Sequence, residues 1–135
     1  MKTTKYVYPA VFIHEPCGYS VQFPDFEDCA TSGETLEEAI EMAKDALCLY
    51  LYDMEERGEA VPSPTSIEII ARSDMPDGEF ATLIDCDTLE YRRFYHSKAV
   101  KKTLSIPAWL NSMAEHEDIN FSAVLQKALR NELGV

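Results

Sequence analysis

The feature that most constrains this chain is a short alternating segment near its C-terminus, closed by Pro107. In an extended strand, successive side chains point to opposite faces. One face would carry Val100, Lys102, Leu104 and Ile106, and the other Lys101, Thr103 and Ser105. Pro107 stands where a helix can begin, because proline suits the first helical turn. The segment predicts a strand with one mostly apolar face and one small, polar and basic face.

Two short amphipathic helices are predicted after this strand. The first follows Pro107 with Trp109, Leu110 and Met113 inward, and a turn at residues 117–120 precedes the second. The second has its apolar stripe at Phe121, Val124, Leu125, Ala128, Leu129 and Leu133, and Gly134 can cap it. A unit of roughly 36 residues without disulfides cannot close a core alone. We expect it to dimerise through Leu104, Ile106, Trp109, Val124 and Leu125.

Pairing two such strands about a two-fold axis would make a two-stranded antiparallel ribbon, which fits the major groove of B-DNA. Lys101, Thr103 and Ser105 would then face the bases. Backbone N–H groups near Asn120 and Ser122, at the start of the second helix, would meet a phosphate. A plain edge strand of a larger sheet is the alternative reading of the same alternation.

The charge distribution separates this C-terminal part from the rest. The net charge is −12, but residues 1–86 hold five Lys and Arg against 18 Asp and Glu, whereas residues 100–135 balance at zero. An acidic surface repels a nucleic acid backbone. DNA contact is therefore expected only at the C-terminal end, and the acidic part is expected to meet a basic partner.

The N-terminal part predicts an α+β domain. Residues 5–13 and 19–23 read as a hairpin around Cys17-Gly18, and residues 29–32 as a short third strand. Thr35 and Glu38 form a capping box that opens a long amphipathic helix ending at Gly58. Strands at residues 66–70 and 80–84 and a short helix at residues 88–97 complete the pattern.

Four dispersed cysteines (Cys17, Cys29, Cys48 and Cys86) lie in no metal-binding spacing, so we expect reduced thiols, no metal and no cofactor. No run of about 18 apolar residues is present, and the first residues do not form a secretory signal. These features predict a cytoplasmic protein without a membrane segment.

Residues 100–133 resemble a ribbon-helix-helix repressor of the MetJ/Arc/CopG type. The shared features are the alternating strand, the proline at its end, and a second helix opened by Phe121-Ser122. The chain departs from the common pattern at Asp118-Ile119-Asn120, where many members carry a glycine-containing turn, and at Lys102, a charged inward position.

The N-terminal part resembles the HicB antitoxins over residues 6–70. The motifs that carry the resemblance are Tyr8-Pro9-Ala10, Gly18-Tyr19-x-Val21-x-Phe23-Pro24-Asp25-Phe26, Cys29-x-Thr31-x-Gly33-x-Thr35-Leu36-Glu37-Glu38-Ala39 and Pro62-Ser63-Pro64. The resemblance implies a partial RNase H-like βββαβ domain (1–86), a helical linker (87–99) and a ribbon-helix-helix DNA-binding and dimerisation domain (100–135). It also implies a non-enzymatic antitoxin that inhibits a HicA-type mRNA interferase and represses its own operon by binding operator DNA. The chain would form dimers through the C-terminal domain, and further association through the N-terminal domains would give tetramers.

The surface that meets the toxin is open at this stage. Candidates are Tyr19 with the loop residues Asp25, Glu27 and Asp28, or the acidic exposed side of the long helix. A metal-dependent RNase H-like nuclease using Asp25, Glu27, Asp28, Asp85 and Asp87 is one alternative function. A ribbon-helix-helix transcription factor that senses a small ligand is another.

Overall fold

The computed structural model describes residues 3–72 and 75–135. Backbone contacts divide the chain into two compact units, one formed by residues 4–97 and the other mainly by residues 98–135. We call the first unit the body and the second the tail. The fold is mixed α+β with an antiparallel sheet, as the sequence predicts.

The body is built on a four-stranded antiparallel sheet in the order β3-β2-β1-β4. Its strands are β1 (Lys5–Glu15), β2 (Gly18–Gln22), β3 (Ala30–Gly33) and β4 (Glu79–Asp87). The predicted β1–β2 hairpin is confirmed. Gly18 has a φ of +138°, and a Cβ there would lie 2.3 Å from the carbonyl oxygen of Gly33. The turn therefore requires glycine.

One long helix, α1 (Leu36–Arg57), covers one face of this sheet, with the predicted limits. Thr35 caps it by accepting a hydrogen bond from the Glu38 backbone N–H, and Gly58 ends it in the left-handed conformation with a φ of 69°. The core between helix and sheet includes Tyr8, Ala10, Phe12, Val21, Ala39, Ala43, Leu47, Leu51 and Ile84.

The strand predicted at residues 66–70 is wrong. This segment forms a short helix, α2 (Ile67–Arg72), in which the Ser66 carbonyl accepts from the backbone N–H groups of Ile69 and Ile70. Glu68 in the first turn and Arg72 in the last complement the helix dipole. Periodicity cannot separate helix from strand in so short an apolar run, so β-branched composition alone misled the prediction.

The predicted helix after β4 is confirmed as α3 (Thr88–Tyr95), capped by the Asp87 carboxylate. The Glu55 carboxylate of α1 accepts from Tyr6 Oη at 2.8 Å, Thr88 Oγ1 at 2.9 Å and Arg92 Nη2 at 3.3 Å. This network holds α3 on α1 within the body, so most of the segment predicted as a linker (87–99) is packed structure.

The tail contains the two predicted helices, α4 (Ala108–His116) and α5 (Phe121–Leu133). Asp118 adopts a φ of 52° in the turn between them, a left-handed conformation that favours glycine and that aspartate can also adopt. Gly134 ends α5 in the left-handed conformation, as predicted. Residues 97–107 form neither helix nor strand in the single chain.

None of the helices in the described ranges (3–72 and 75–135) is both long and apolar enough to cross a membrane.

Candidate functional sites

The tail has two helices but no interior of its own. None of the residues 98–135 is buried in the single chain, and only Asn111, Ala114 and Leu125 are half-buried. Trp109 is 66% exposed, and Leu104 and Val124 are each 55% exposed. Burying a side chain of this kind contributes roughly 1.5–3 kcal/mol. Four of the five predicted dimerisation residues are therefore exposed and Leu125 is half-buried, so their apolar side chains are available to a partner surface.

The predicted DNA-reading residues Lys101, Thr103 and Ser105 are all exposed. They lie in the stretch without regular structure, so the strand itself stays a prediction. A strand is defined by its hydrogen-bonded neighbour. In the proposed ribbon that neighbour is the same segment of a second copy.

The predicted phosphate contacts lie at the start of α5. Asn120 caps this helix, because its Oδ1 accepts from the Ala123 backbone N–H at 3.0 Å. Asn120 and Ser122 border a groove of about 490 Å³ that also contains Lys127 and Arg130. These two cations are not among the DNA contacts predicted from the sequence. Their spacing of seven and ten residues from Asn120 places them along one side of α5 and is the signal that could have found them.

The four predicted toxin contacts do not form one patch. Tyr19 lies opposite Gly33 at the hairpin end of β2 and stacks on His14, with 4.7 Å between ring centroids. The loop that carries Asp25, Glu27 and Asp28 follows the other end of β2. Only Asp25, Glu27 and Asp28 share one loop, and Tyr19 lies away from them.

Asp25 has a structural contact within the body. Its carboxylate accepts from the Thr65 backbone N–H at 3.1 Å and from the Thr65 hydroxyl at 2.6 Å. The neighbouring Pro62 carbonyl accepts from the Tyr8 hydroxyl. Asp25 and Tyr8 thus fix the segment that leads from α1 to α2. Glu27 and Asp28 are exposed, and Asp28 adopts a φ of 58°.

A second acidic surface lies where α1, β4 and α3 meet, and we call it the acidic cleft. It has a volume of about 540 Å³ and is lined by Glu41, Lys44, Asp45, Cys48, Asp85, Cys86, Asp87, Glu90, Tyr91, Phe94 and Tyr95. Five of these residues are carboxylates. The one lysine pairs with Asp85, with 3.3 Å between Nζ and Oδ1.

Aromatic rings form one side of the acidic cleft. The Tyr91 ring packs at a tilt against Tyr95, with 4.6 Å between ring centroids, and against Tyr52 of α1, with 5.2 Å. Phe94 meets Tyr95 edge-on, with 4.7 Å between centroids. Phe94 is 77% exposed and Tyr95 is 63% exposed. Large exposed aromatic rings held by their neighbours are typical of protein-binding surfaces.

Two thiols also line the acidic cleft. The buried Cys86 thiol donates a hydrogen bond to Cys48, which lowers the pKa of Cys48 and raises that of Cys86. The Asp87 backbone N–H also lowers the pKa of Cys48 by hydrogen bonding. Cys48 is half-buried, and it has more thiolate character than a thiol without such donors.

The chain matches the model of a protein family described as the HicB-like antitoxins of bacterial toxin–antitoxin systems, over residues 8–129. It belongs to the HicB-like antitoxin family. Antitoxin HicB 2 of Photorhabdus laumondii is 30% identical over 130 residues, which covers 83% of this chain and 94% of the relative. An uncharacterized 14.9 kDa protein of the rep–hol intergenic region of Haemophilus phage HP1 is 30% identical over 104 residues, covering 77% and 75%.

Solved structures agree with this family membership. A chain of a toxin–antitoxin complex from Streptococcus pneumoniae superposes with a TM-score of 0.59 and 28% identity, covering 95% of this HicB-like antitoxin and 99% of that chain. The Burkholderia pseudomallei antitoxin HicB gives a TM-score of 0.55 at 21% identity, covering 92% and 96%. The second likeness shows the fold alone.

The five carboxylates of the alternative nuclease function fall into two groups in this HicB-like antitoxin, Asp85 and Asp87 in the acidic cleft and Asp25, Glu27 and Asp28 in the loop after β2. Asp25 binds Thr65, Asp85 pairs with Lys44, and Asp87 caps α3. Within residues 3–72 and 75–135, no three His, Cys, Asp or Glu side chains are grouped as metal ligands. The structure therefore does not assemble the predicted carboxylates into one metal-binding set.

Proposed function

We propose that this HicB-like antitoxin binds and inhibits a HicA-type mRNA interferase through its body and represses its own operon through its tail. The family match over residues 8–129 and the likeness to a chain of a toxin–antitoxin complex support the toxin partner. Charge supports it as well, because residues 4–97 carry six Lys and Arg against 20 Asp and Glu. A toxin that cleaves RNA needs a basic face, and an acidic body complements it. A toxin that cleaves mRNA and an operator on DNA are both cytoplasmic partners, so the location we propose for the protein is the cytoplasm.

For the tail we propose a ribbon-helix-helix dimer. The observation that carries this proposal is that none of the residues 98–135 is buried although α4 and α5 are both formed and α5 is capped at both ends. Two copies would bury Leu104, Ile106, Trp109, Val124 and Leu125 together. Association of two such dimers through the bodies would give a tetramer.

Operator binding would use the polar face of the paired strands. Lys101 can donate to guanine O6 and N7, and Thr103 and Ser105 can donate to or accept from base edges. The start of α5, with Asn120 and Ser122, would meet the flanking phosphate. Lys127 and Arg130 border the same groove and would add phosphate contacts.

For the body we propose a partial RNase H-like domain that inhibits by binding and performs no catalysis with a metal or other cofactor. The three aspartates that would have to converge for two-metal chemistry instead anchor a loop, pair with a lysine and cap a helix. No contact in the described ranges favours the ligand-sensing alternative, since the acidic cleft is an open and charged surface.

Co-expression with the small basic protein encoded next to this chain tests the proposal. We expect the chain to relieve growth arrest by that toxin and to co-purify with it. We also expect the purified chain to bind DNA from upstream of the gene pair. Failure to co-purify and to relieve the arrest would contradict the antitoxin assignment, and failure to bind the upstream DNA would contradict the repressor assignment.

A further inference from the structure

We propose that the acidic cleft between α1, β4 and α3 is the surface that receives the basic face of the toxin. This inference rests on the proposed function. It narrows the acidic side of α1 to Glu41 and Asp45 and adds residues of β4 and α3 that were not predicted as toxin contacts. The occupant to which we commit is a protein surface that projects arginine or lysine side chains into the cleft.

Charge is the first argument. The carboxylates of Glu41, Asp45 and Glu90 make no hydrogen bond or ion pair within the described residues. In the C-terminal half of α1 the carboxylates are paired, Asp53 with Arg57 and Glu55 with Arg92. The cleft therefore has an uncompensated negative charge that the C-terminal half of α1 lacks. A cationic side chain from outside would supply the missing charge.

The aromatic side of the cleft is the second argument. Phe94 and Tyr95 are exposed beside these carboxylates. Phe94 packs edge-on against Tyr95, which packs against Tyr91, and Tyr91 in turn packs against Tyr52 of α1. An arginine is attracted both to a carboxylate and to the face of an aromatic ring. The body already contains one such arrangement, since the Arg92 guanidinium lies 4.7 Å from the centroid of the Tyr52 ring and pairs with Glu55.

The nature of the partner follows from these two features. The carboxylates would repel the phosphates of RNA or DNA, so a nucleic acid does not fit the cleft. An uncharged apolar partner would leave at least three carboxylates desolvated without a counter-charge. A second acidic body would meet like charges. A basic protein face satisfies both the carboxylates and the rings, and the acidic body would also steer it during association.

A matched pair of charge reversals tests the assignment on the full chain. Asp45→Lys with Glu90→Lys changes the cleft, and Glu27→Lys with Glu34→Lys makes the same charge change at exposed positions outside it. Titration calorimetry measures the affinity of each chain for the toxin encoded next to it. We expect a loss of about 100-fold for the cleft pair and of less than about threefold for the control pair. Phe94→Ala should lose about tenfold without changing the net charge.

Each outcome of this titration has a defined meaning. Equal affinity of the wild type and the cleft variant would overturn the assignment while leaving the antitoxin function intact. Loss of affinity only in the Glu27→Lys, Glu34→Lys chain would place the toxin on the other acidic surface. A wild-type chain that does not bind the toxin would overturn both the cleft and the proposed function. Unchanged circular dichroism and thermal unfolding will establish that both variants are folded.

Cysteine labelling gives an independent readout with no substitution. Cys48 lies in the cleft, whereas Cys17 is exposed on the β1–β2 turn. Mass spectrometry after brief N-ethylmaleimide treatment should show Cys48 protected at least about tenfold in the toxin complex and Cys17 labelled equally in both states. Equal labelling of Cys48 with and without toxin would overturn the proposal. Protection that rises with antitoxin concentration alone would assign the cleft to a second copy and would also overturn it.

Discussion

The body and the tail show how differently two units of one chain reach stability. The body buries an apolar core between α1 and a four-stranded sheet, and Thr88, its one fully buried polar side chain among the described residues, is hydrogen-bonded. The tail also forms regular helices, and α5 is capped at both ends, but none of the tail residues is buried. Local sequence can thus specify secondary structure without specifying a core. The first unit has a core of its own, whereas for the second we propose that a copy of the chain supplies one.

The sharpest test of this difference is the response to a core truncation. Leu47 is fully buried in α1, so Leu47→Ala should lower the free energy of unfolding of the body by about 2–5 kcal/mol. Urea denaturation followed by circular dichroism measures this loss. It should be independent of protein concentration, and a concentration-dependent loss would show that the body also depends on association.

The matching substitution in the tail should act on association instead. Val124→Asp would place a carboxylate in the proposed dimer interface, and we expect it to weaken dimerisation at least about 100-fold. Sedimentation equilibrium measures the mass of the full chain, and the urea transition of the body serves as the control. A dimer of unchanged stability would refute the assignment of Val124 to the interface.

A smaller effect is expected for Asp25, whose carboxylate holds the segment between α1 and α2 by binding Thr65. Asp25→Ala removes the acceptor for both Thr65 groups and should cost about 1–2 kcal/mol of body stability, since the site is partly exposed. Thr65→Val should reproduce part of the cost. If Asp25→Ala instead weakened toxin binding with unchanged stability, the predicted toxin role of Asp25 would be supported over the structural one.

The smallest effect concerns pH. Burial, together with the hydrogen bond to Glu55, raises the pKa of Tyr6 to about 12. The unfolded chain releases this proton near pH 10, so the contribution of Tyr6 to stability is complete below about pH 10 and is lost as the pH rises towards 12. Tyr6→Phe should reduce the fall in melting temperature across this range, and an identical pH profile would contradict the effect.

Much of the local structure was predictable because local chemistry fixes it. Thr35, Glu38 and Gly58 define α1, and Gly134 ends α5. These signals act within one helical turn of the residue concerned. The segment at residues 66–70 was misassigned because a short apolar run has no periodicity to read.

The candidate sites were predictable only where a single segment contains them. Lys101, Thr103 and Ser105 are neighbours in the sequence, so alternation was sufficient to select them. The acidic cleft combines Asp45, Asp85 and Phe94 from three elements that long-range packing brings together. A pattern read along the chain contains no such information, and for the same reason Tyr19 was grouped with a loop at the far end of its strand.

The most direct test of the account is an operator titration by wild-type and Lys101→Ala, Thr103→Ala chains whose masses are measured in the same buffer. We expect both chains to be dimeric, and the variant to bind upstream DNA at least about 30-fold more weakly with a reduced dependence on salt concentration. Such a result would show that the exposed polar face of the tail reads DNA after pairing. Unchanged DNA affinity in a dimeric variant would contradict the ribbon and would make the segment an ordinary edge strand.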